Sequence, residues 1–145
     1  MVKILVKKFD KSIKLPIYKT SGSSGMDLIA YTKTKIIVKP GKIQIIPTGI
    51  AVAIPKNYEI QIRPRSGLAA KSGITVLNTP GTIDSDYRGE IKIILINLSK
   101  KLFTIKSGDR VAQMILTPVI KGKFQIVNIL PKTVRGKGGF GSTGK

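Results

Sequence analysis

The sequence predicts a single all-β domain, and three observations support that fold class. First, apolar residues recur at every second position, as in strands with one buried face, in Val2-Ile4-Val6, Ile43-Ile45, Ile50-Val52-Ile54, Tyr58-Ile60-Ile62 and Ile74-Val76. Second, turn signals separate these runs, namely Pro40-Gly41, Pro-Lys-Asn at 55–57, Pro80-Gly81 and Ser107-Gly108. Third, 145 residues with 41% hydrophobic content are enough for one core. Many short strands with regular turns are typical of a sandwich or a barrel.

Two segments depart from this alternation. Ser66 to Lys71 is the one convincing helical stretch, because it follows Pro64 and is closed by Gly73. The run Ile91 to Ile96 is almost continuously apolar. It predicts a strand covered on both faces, either in the core or at a subunit contact.

The C-terminal ten residues form the densest glycine cluster, with Gly136, Gly138, Gly139, Gly141 and Gly144. Such a tail cannot build a core. Composition alone leaves two interpretations open: a disordered terminus, or a flexible loop whose backbone N–H groups and Arg135 wrap phosphates.

The composition excludes several classes of enzyme. The chain contains no His and no Cys, so it has no Ser-His-Asp or Cys-His catalysis, no imidazole or thiolate metal ligand and no disulfide. The base of any acid–base reaction is therefore expected among seven carboxylates, namely Asp10, Asp27, Glu59, Asp84, Asp86, Glu90 and Asp109.

The formal charge of +19 raises the question of nucleic-acid binding. The lysines are scattered along the chain and aromatic residues are few, at 6%. This pattern favours a lysine-rich solvated surface over a specific nucleic-acid site. The positive field is still expected to steer a polyanionic small substrate toward its site.

No segment is expected to enter a membrane. The longest uninterrupted apolar run, Ile50 to Ile54, is far shorter than the roughly 20 residues that a spanning helix needs. The start of the sequence, MVKILVKKFDK, lacks the apolar core of a signal peptide. We therefore expect a soluble, cytoplasmic protein with no membrane partner.

Two polar clusters are candidate sites. The segment Leu77 to Glu90 holds two acidic residues, an aromatic residue and an arginine within five positions, between two strand-like runs, which predicts a hairpin. The segment Pro64 to Ile74 sets Arg65 and Ser66 at the start of a helix, where free N–H groups favour an anion. Each cluster alone is also compatible with an ordinary turn.

The clusters become specific in combination with three further segments. In order along the chain, five segments resemble the five motifs of the homotrimeric dUTPases, namely Ser21 to Ala30, Pro64 to Ile74, Asn78 to Glu90, Gly108 to Ile115 and Arg135 to Gly144. The resemblance implies a distorted, jelly-roll-like β-barrel domain at residues 1–134. It also implies a flexible tail at residues 135–145 that covers the phosphates and the base.

The resemblance also assigns roles in the hairpin segment. It implies that Asp84 is the general base that deprotonates the attacking water. Tyr87 would lie under the deoxyribose and exclude a 2′-hydroxyl, whereas Asp86 would anchor the turn. Uracil would be recognised by backbone groups of Thr82, Ile83, Asp84 and Lys92, together with the side chain of Asn78. Unpaired donors and acceptors would then reject cytosine.

The phosphates would be bound by residues of the other motifs. The resemblance implies contacts from Arg65, Ser66, Gly67 and Gln113, and from the tail residues Arg135, Phe140, Gly141, Ser142 and Thr143, with Phe140 stacked on uracil. Structural roles are expected for two further motif residues: Asp27 would tie a turn, and Asp109 would pair with Arg110 or a neighbour.

The implied reaction is hydrolysis of dUTP to dUMP and pyrophosphate by attack at the α-phosphorus. It would limit uracil incorporation into DNA and supply dUMP for thymidylate synthesis. Mg²⁺ is the implied cofactor, held mainly by substrate phosphates, so no protein ligand is assigned. The implied assembly is a homotrimer whose sites are each built from three chains.

Two other functions are weighed against this one. The related dCTP deaminases use a glutamate where Ile94 stands here, and an isoleucine cannot shuttle protons. A basic nucleic-acid-binding β-barrel belongs to a different class, and steep salt dependence of DNA binding would identify it.

Overall fold

The computed structural model describes residues 1–139, which form ten strands and one short helix. The elements are β1 (Leu5–Lys8), β2 (Met26–Ile29), β3 (Ile36–Val38), β4 (Ile43–Ala53), β5 (Tyr58–Arg63), α1 (Ser66–Ser72), β6 (Ile74–Val76), β7 (Gly81–Ile83), β8 (Glu90–Asn97), β9 (Phe103–Ile105) and β10 (Arg110–Pro118). The predicted all-β class with one short helix is confirmed.

The strands form three antiparallel sheets. Two have four strands, in the orders β1-β4-β8-β6 and β2-β10-β5-β7, and the third pairs β3 with β9. Within residues 1–139 these sheets do not join into a closed barrel, so the word barrel describes the fold only loosely.

One hydrophobic core draws on all three sheets. Leu28, Ile46, Ile60, Ile93 and Ile105 come from five different strands and are fully buried. Since residues of both four-stranded sheets belong to one cluster, the two sheets face each other across it.

The two faces of strand β8 differ in burial. Ile91, Ile93 and Leu95 have no exposed surface, but Lys92 on the opposite face is exposed and Ile94 there is half-buried. Residues 1–139 therefore leave this face only partly covered. The apolar run predicted a strand covered on both faces, in the core or at a subunit contact. Strand β8 lies between β4 and β6, and residues 1–139 cover one of its faces; the subunit contact stays a prediction for the other.

Some of the strands predicted from the alternating runs coincide with observed strands, and others do not. Those at Tyr58 and Ile74 are β5 and β6, as predicted. The runs at 43–45 and 50–54 merge largely into β4, which is interrupted by a bulge between Pro47 and Ala51. Gly49 in this bulge has a φ of +68°, and a Cβ there would collide with Ile13. The first run was placed too early, since β1 spans Leu5–Lys8 and all four residues are exposed.

Helix α1 matches the prediction. It ends at Gly73, whose φ of 62° is left-handed and whose N–H donates to the carbonyl oxygen of Ala69. No helix among residues 1–139 has the length and hydropathy of a membrane span.

The chain beyond β10 has no helix or strand in residues 119–139. Several apolar side chains there are almost fully exposed, including Ile120, Phe124 and Ile126 at 96% or more. Of the tail residues predicted to bind the nucleotide, Phe140, Gly141, Ser142 and Thr143 lie outside the described residues.

Candidate active site

A cavity of about 240 Å³ opens where β7 of one sheet approaches β8 of the other. It is lined by Ile62, Val76, Asn78, Gly81, Thr82, Ile83, Asp84, Tyr87, Glu90, Lys92 and Ile94. Every residue predicted to bind the base, the sugar or the attacking water from the hairpin motif is among them. The structure therefore brings these predicted residues together in one place.

The predicted hairpin itself is wrong. Strand β7 pairs with β5, whereas β8 pairs with β4 and β6, so the segment 84–89 crosses from one sheet to the other. A hydrogen-bonded hairpin would have closed the space between its arms. The crossing leaves the two arms apart, and the cavity lies between them.

The crossing segment is fixed by its own hydrogen bonds. The N–H of Tyr87 donates to the carbonyl oxygen of Asp84 at 3.1 Å, which closes a turn. Arg88 Nη1 donates to the carbonyl oxygens of Ser85 and Tyr87, each at 2.8 Å. Among the described residues these side-chain bonds come from Arg88, rather than from Asp86 as expected.

The Tyr87 ring is packed against backbone. Its hydroxyl donates to the carbonyl oxygen of Glu90 at 3.0 Å, and a Cβ on Gly89 would overlap the hydroxyl and the ring. The side chain remains 43% exposed, so one face is open to a ligand.

The base-binding end of the cavity depends on a second glycine. Gly81 is buried, and a Cβ there would lie 3.2 Å from Nδ2 of Asn78 and 3.4 Å from Ile62. Any larger residue at Gly81 would displace the Asn78 amide. The bond before it, Thr79-Pro80, is a cis peptide.

Glu90 is a cavity residue that the sequence analysis did not single out. Its Oε1 accepts the N–H of Gly49 at 2.8 Å, and Nζ of Lys92 lies 3.9 Å from its Oε2. Glu90 is thus engaged, whereas the Asp84 carboxylate has no side-chain hydrogen bond or ion pair with residues 1–139. Of the two cavity carboxylates, Asp84 is the one available to a ligand or a water molecule.

A second polar cluster lies on β2, β10 and the start of α1. The Asp27 carboxylate binds two arginines, with Oδ1 3.0 Å from Nε of Arg65 and Oδ2 3.1 Å from Nη1 of Arg110. The expected roles of the two acidic residues were therefore exchanged: Asp27 forms the ion pairs, and Asp109 ties a turn by accepting the N–H of Lys106 at 2.8 Å.

The other predicted phosphate-binding residues surround this cluster. Ser66 and Gly67 are exposed at the start of α1, and nothing lies within 4 Å of a Cβ placed on Gly67. Gln113 donates from Nε2 to the carbonyl oxygen of Pro64 at 3.0 Å. Arg135 Nε donates to the carbonyl oxygen of Gly138, so its described contact lies within the tail.

The two groups of predicted residues are separate within one chain. The cavity beside Asp84 is lined by none of Arg65, Ser66 and Gln113, whereas Arg65 and Arg110 line a different cavity of about 350 Å³. The two groups therefore line two different cavities of the described chain.

The described residues do not form a cage for a metal ion. Residues 1–139 contain no group of three His, Cys, Asp or Glu side chains placed to hold one. Such a chain fits a cation that keeps most of its water and is held by phosphate oxygens, as Mg²⁺ commonly is.

Asp10 and Tyr31, which lie apart from the cavity and the arginine cluster, have shifted pKa values. Hydrogen bonds from Ser12 lower the pKa of Asp10 below its usual value. Partial burial, with the neighbouring Asp10 carboxylate, raises the pKa of Tyr31.

The fold and the site together define an all-β protein with a polar cleft between two sheets and, apart from it, two arginines paired with one aspartate. The model of the protein family described as dUTPase matches residues 11–144. The chain belongs to the dUTPase family and is an enzyme of the dUTP diphosphatase class. The resemblance of the five motifs is thereby confirmed.

Curated relatives agree with this assignment. A protein of Rickettsia canadensis (strain McKiel) is 63% identical over 130 residues, covering 90% of this chain and 88% of the relative. One of Thermoanaerobacter sp. (strain X514) is 53% identical over 141 residues, covering 96% and 95%. Both are named deoxyuridine 5'-triphosphate nucleotidohydrolase.

Solved structures share the fold. A mutant dUTPase of Staphylococcus bacteriophage 80alpha, bearing one Gly-to-Ser substitution and solved with dUpNHpp, has a TM-score of 0.87 at 23% identity, covering 99% of both chains. A mutant dUTPase from phage phi11 of S. aureus, described with a structural Mg(II) ion, has a TM-score of 0.80 at 20% identity, covering 90% of this chain and 99% of that one.

Proposed function

We propose that this protein hydrolyses dUTP to dUMP and pyrophosphate, by attack of an Asp84-activated water molecule on the α-phosphorus. The observation that carries the proposal is the single cavity that unites Asn78, Asp84, Tyr87 and Lys92 with the backbone of β7. In the cell this reaction would limit uracil incorporation into DNA and supply dUMP for thymidylate synthesis. Its site of action would be the cytoplasm.

Uracil would be recognised mostly by backbone. Thr82 and Ile83 on β7 and Lys92 on β8 would pair with O4, N3–H and O2, and the Asn78 amide would bind the base edge. Cytosine would leave some of these groups unpaired in a partly dry cleft, which can cost a factor of about 10⁴. Thymine would be rejected because its methyl group meets tightly approaching backbone.

The sugar would be selected by Tyr87. Its hydroxyl is held by the Glu90 carbonyl and its ring presses on Gly89, so the ring cannot retreat easily from a 2′-hydroxyl. A deoxyribose would stack on the open face of the ring, and a ribose would collide with it.

The chemical step depends on Asp84 and on positioning. The carboxylate would orient a water molecule and accept its proton as the new O–P bond forms at the α-phosphorus. The bond from the α-phosphorus to the oxygen that bridges it to the β-phosphorus would break, and pyrophosphate would depart with that electron pair. Because charge develops on the phosphoryl oxygens, arginine and N–H donors placed near them lower the barrier.

The phosphates would be bound by Arg65, Ser66, Gly67 and Gln113, with Arg135, Phe140, Gly141 and Ser142 closing over the nucleotide. We infer that Mg²⁺ would be held through the phosphate oxygens, where it would neutralise part of their charge. On this basis residues 1–134 form the catalytic domain, and residues 135–145 form its closing segment.

The separation of the two groups supports a homotrimer with shared sites. The cavity beside Asp84 and the arginine cluster would be joined only when neighbouring chains face each other. Exposed apolar residues supply contact surface for such an assembly, with Ile43 at 50%, Ile45 at 58% and Phe124 at 101% exposure.

The related dCTP deaminase reaction is disfavoured by the same cavity. Ile94 lines it at the position where those enzymes would need a glutamate. The carboxylate that β8 does carry, that of Glu90, already accepts a hydrogen bond from the N–H of Gly49.

Pyrophosphate release from dUTP, dCTP, dTTP and UTP in the presence of Mg²⁺ tests the proposal. We expect dUTP to be preferred by a factor of about 10³ or more in kcat/KM. Comparable rates with all four nucleotides, or ammonia release from dCTP, would contradict it.

A further inference from the structure

The Asp27 carboxylate divides its two oxygens between two arginines. Oδ1 accepts from Arg65 and Oδ2 accepts from Arg110, at 3.0 and 3.1 Å. Only 18% of the Asp27 side chain and 25% of the Arg65 side chain are exposed, so solvent screens this contact less than a surface ion pair.

The Arg65 guanidinium is also braced by backbone. Its Nη1 donates to the carbonyl oxygen of Arg110 at 3.1 Å. These two bonds use two of the five N–H groups that a guanidinium carries, and the other three have no partner within residues 1–139. The group is therefore fixed at one side and has donors left for a ligand.

The residues that hold Arg65 in place lie on two paired strands. Asp27 on β2 lies opposite Gln113 on β10, and the register shift between Arg110 and Ala112 marks an irregularity beside the Arg110 carbonyl. Gln113 also holds the carbonyl of Pro64, the residue before Arg65. Side chains on such elements are held more precisely than side chains on loops.

We propose that Asp27 is a positioning residue, which holds the Arg65 guanidinium in the orientation that binds the phosphates of the substrate. The proposal rests on the proposed function of Arg65. Without the carboxylate, Arg65 would be free to rotate and would be repelled by Arg110. Phosphate binding would then have to order the Arg65 side chain, which the contact with Asp27 already orders in the free protein. The entropy lost in that ordering would weaken phosphate binding.

A charge-balancing role makes the opposite prediction. Replacing Asp27 by a neutral residue adds one positive unit beside the anion site. If Asp27 only balanced charge, that change would tighten anion binding and leave turnover intact. The positioning role instead predicts lost turnover, because a phosphoryl group misplaced by about 1 Å can cost a factor of about 10² in rate.

The experiment is a double-mutant cycle on the full chain, with Asp27→Asn, Arg65→Gln and the two combined. Turnover of dUTP is measured by pyrophosphate release, and affinity for inorganic triphosphate by calorimetry. The matched control is Asp109→Asn, which removes the same charge nearby but leaves the Arg65 contact. Melting temperatures accompany every variant. Asp27→Glu is the second variant, since it keeps the charge and moves the carboxylate by one methylene.

We expect Asp27→Asn to lower kcat by a factor on the order of 10², and the double variant to be no worse than Arg65→Gln alone. Asp27→Glu should lower kcat by about tenfold, and Asp109→Asn should stay within about threefold of the wild type. If Asp27→Asn does not fold, the kcat of Asp27→Glu distinguishes the two roles. A charge-balancing role predicts no loss of kcat in Asp27→Glu, because the charge is kept.

Three results would overturn the proposal: a kcat of Asp27→Asn within threefold of wild type, losses that multiply in the double variant, or no binding of inorganic triphosphate by the wild type. Failure of the proposed function looks different. The wild type would then release no pyrophosphate from dUTP, and the same cycle on triphosphate affinity would decide the role of Asp27. A non-additive loss of affinity supports positioning, and an additive loss or a gain rejects it.

Discussion

The hydroxyl of Tyr87 donates a hydrogen bond to the carbonyl oxygen of Glu90, three residues along the chain and 3.0 Å away. Between them, Gly89 provides the space that the ring occupies. One short segment therefore fixes the aromatic ring, begins β8 and connects the two sheets on either side of the cavity.

Gly89 leaves room for the Tyr87 ring, and the substitution Gly89→Ala, which adds one carbon, tests this role. In Gly89→Ala the new Cβ would overlap the Tyr87 hydroxyl, so the ring must move. We expect the preference for dUTP over UTP, measured as kcat/KM, to fall by about tenfold or more. Gly122→Ala is the control, since nothing lies within 4 Å of a Cβ there. An unchanged preference would show that the ring does not select the sugar.

Some of the fold follows from local pattern, and some does not. The bounds of α1 were predictable because Pro64 and Gly73 act on their own neighbours. The hairpin prediction was wrong because the position of Leu77 to Glu90 between two strand-like runs does not tell which sheet each run joins. The ion pairs of Asp27 were missed because the partners lie 38 and 83 residues away in sequence.

The oligomeric state is the second prediction. The separation of the cavity from the arginine cluster, with exposed Ile45 and Phe124, leads us to expect three chains in solution. Light scattering should give three times 15.7 kDa. A monomer with full turnover of dUTP would contradict a shared site.

A third prediction concerns the closing segment. Truncation before Arg135 removes residues 135–139, which are exposed or half-exposed and bury little surface, together with residues 140–145, which lie outside the described part of the chain. The melting temperature should barely move, while turnover falls by about two orders of magnitude, because such segments act by positioning and by excluding water. Affinity for dUTP should fall less, because closure also orders flexible residues.

The two measurements separate the interpretations of that segment. Unchanged turnover after truncation would indicate that residues 135–145 are a disordered terminus with no part in catalysis. A large drop in melting temperature would instead make it part of the folded domain.

Asp10 gives a prediction about acid stability. Its pKa is lowered in the folded state by bonds from the Ser12 hydroxyl and N–H. The ionised form is therefore the stabilising one, and its contribution is present above the unfolded pKa of about 3.9 and is lost as the pH falls through the folded value. The melting temperature of the wild type should exceed that of Asp10→Ala at pH 7, and the difference should shrink below about pH 4. A difference that stays constant down to pH 2 would refute this.

The central claim is that Asp84 is the base, and Asp84→Asn tests it most directly. The amide nearly keeps the shape of the carboxylate but cannot accept the proton of the attacking water, a contribution commonly worth a factor of about 10² to 10⁴. Asp86→Asn, in the same crossing segment, is the matched control. We expect Asp84→Asn to bind dUTP with an affinity close to that of the wild type and to release pyrophosphate at less than about one hundredth of its rate, while Asp86→Asn stays active. Retention of about a tenth or more of wild-type turnover by Asp84→Asn would contradict the account.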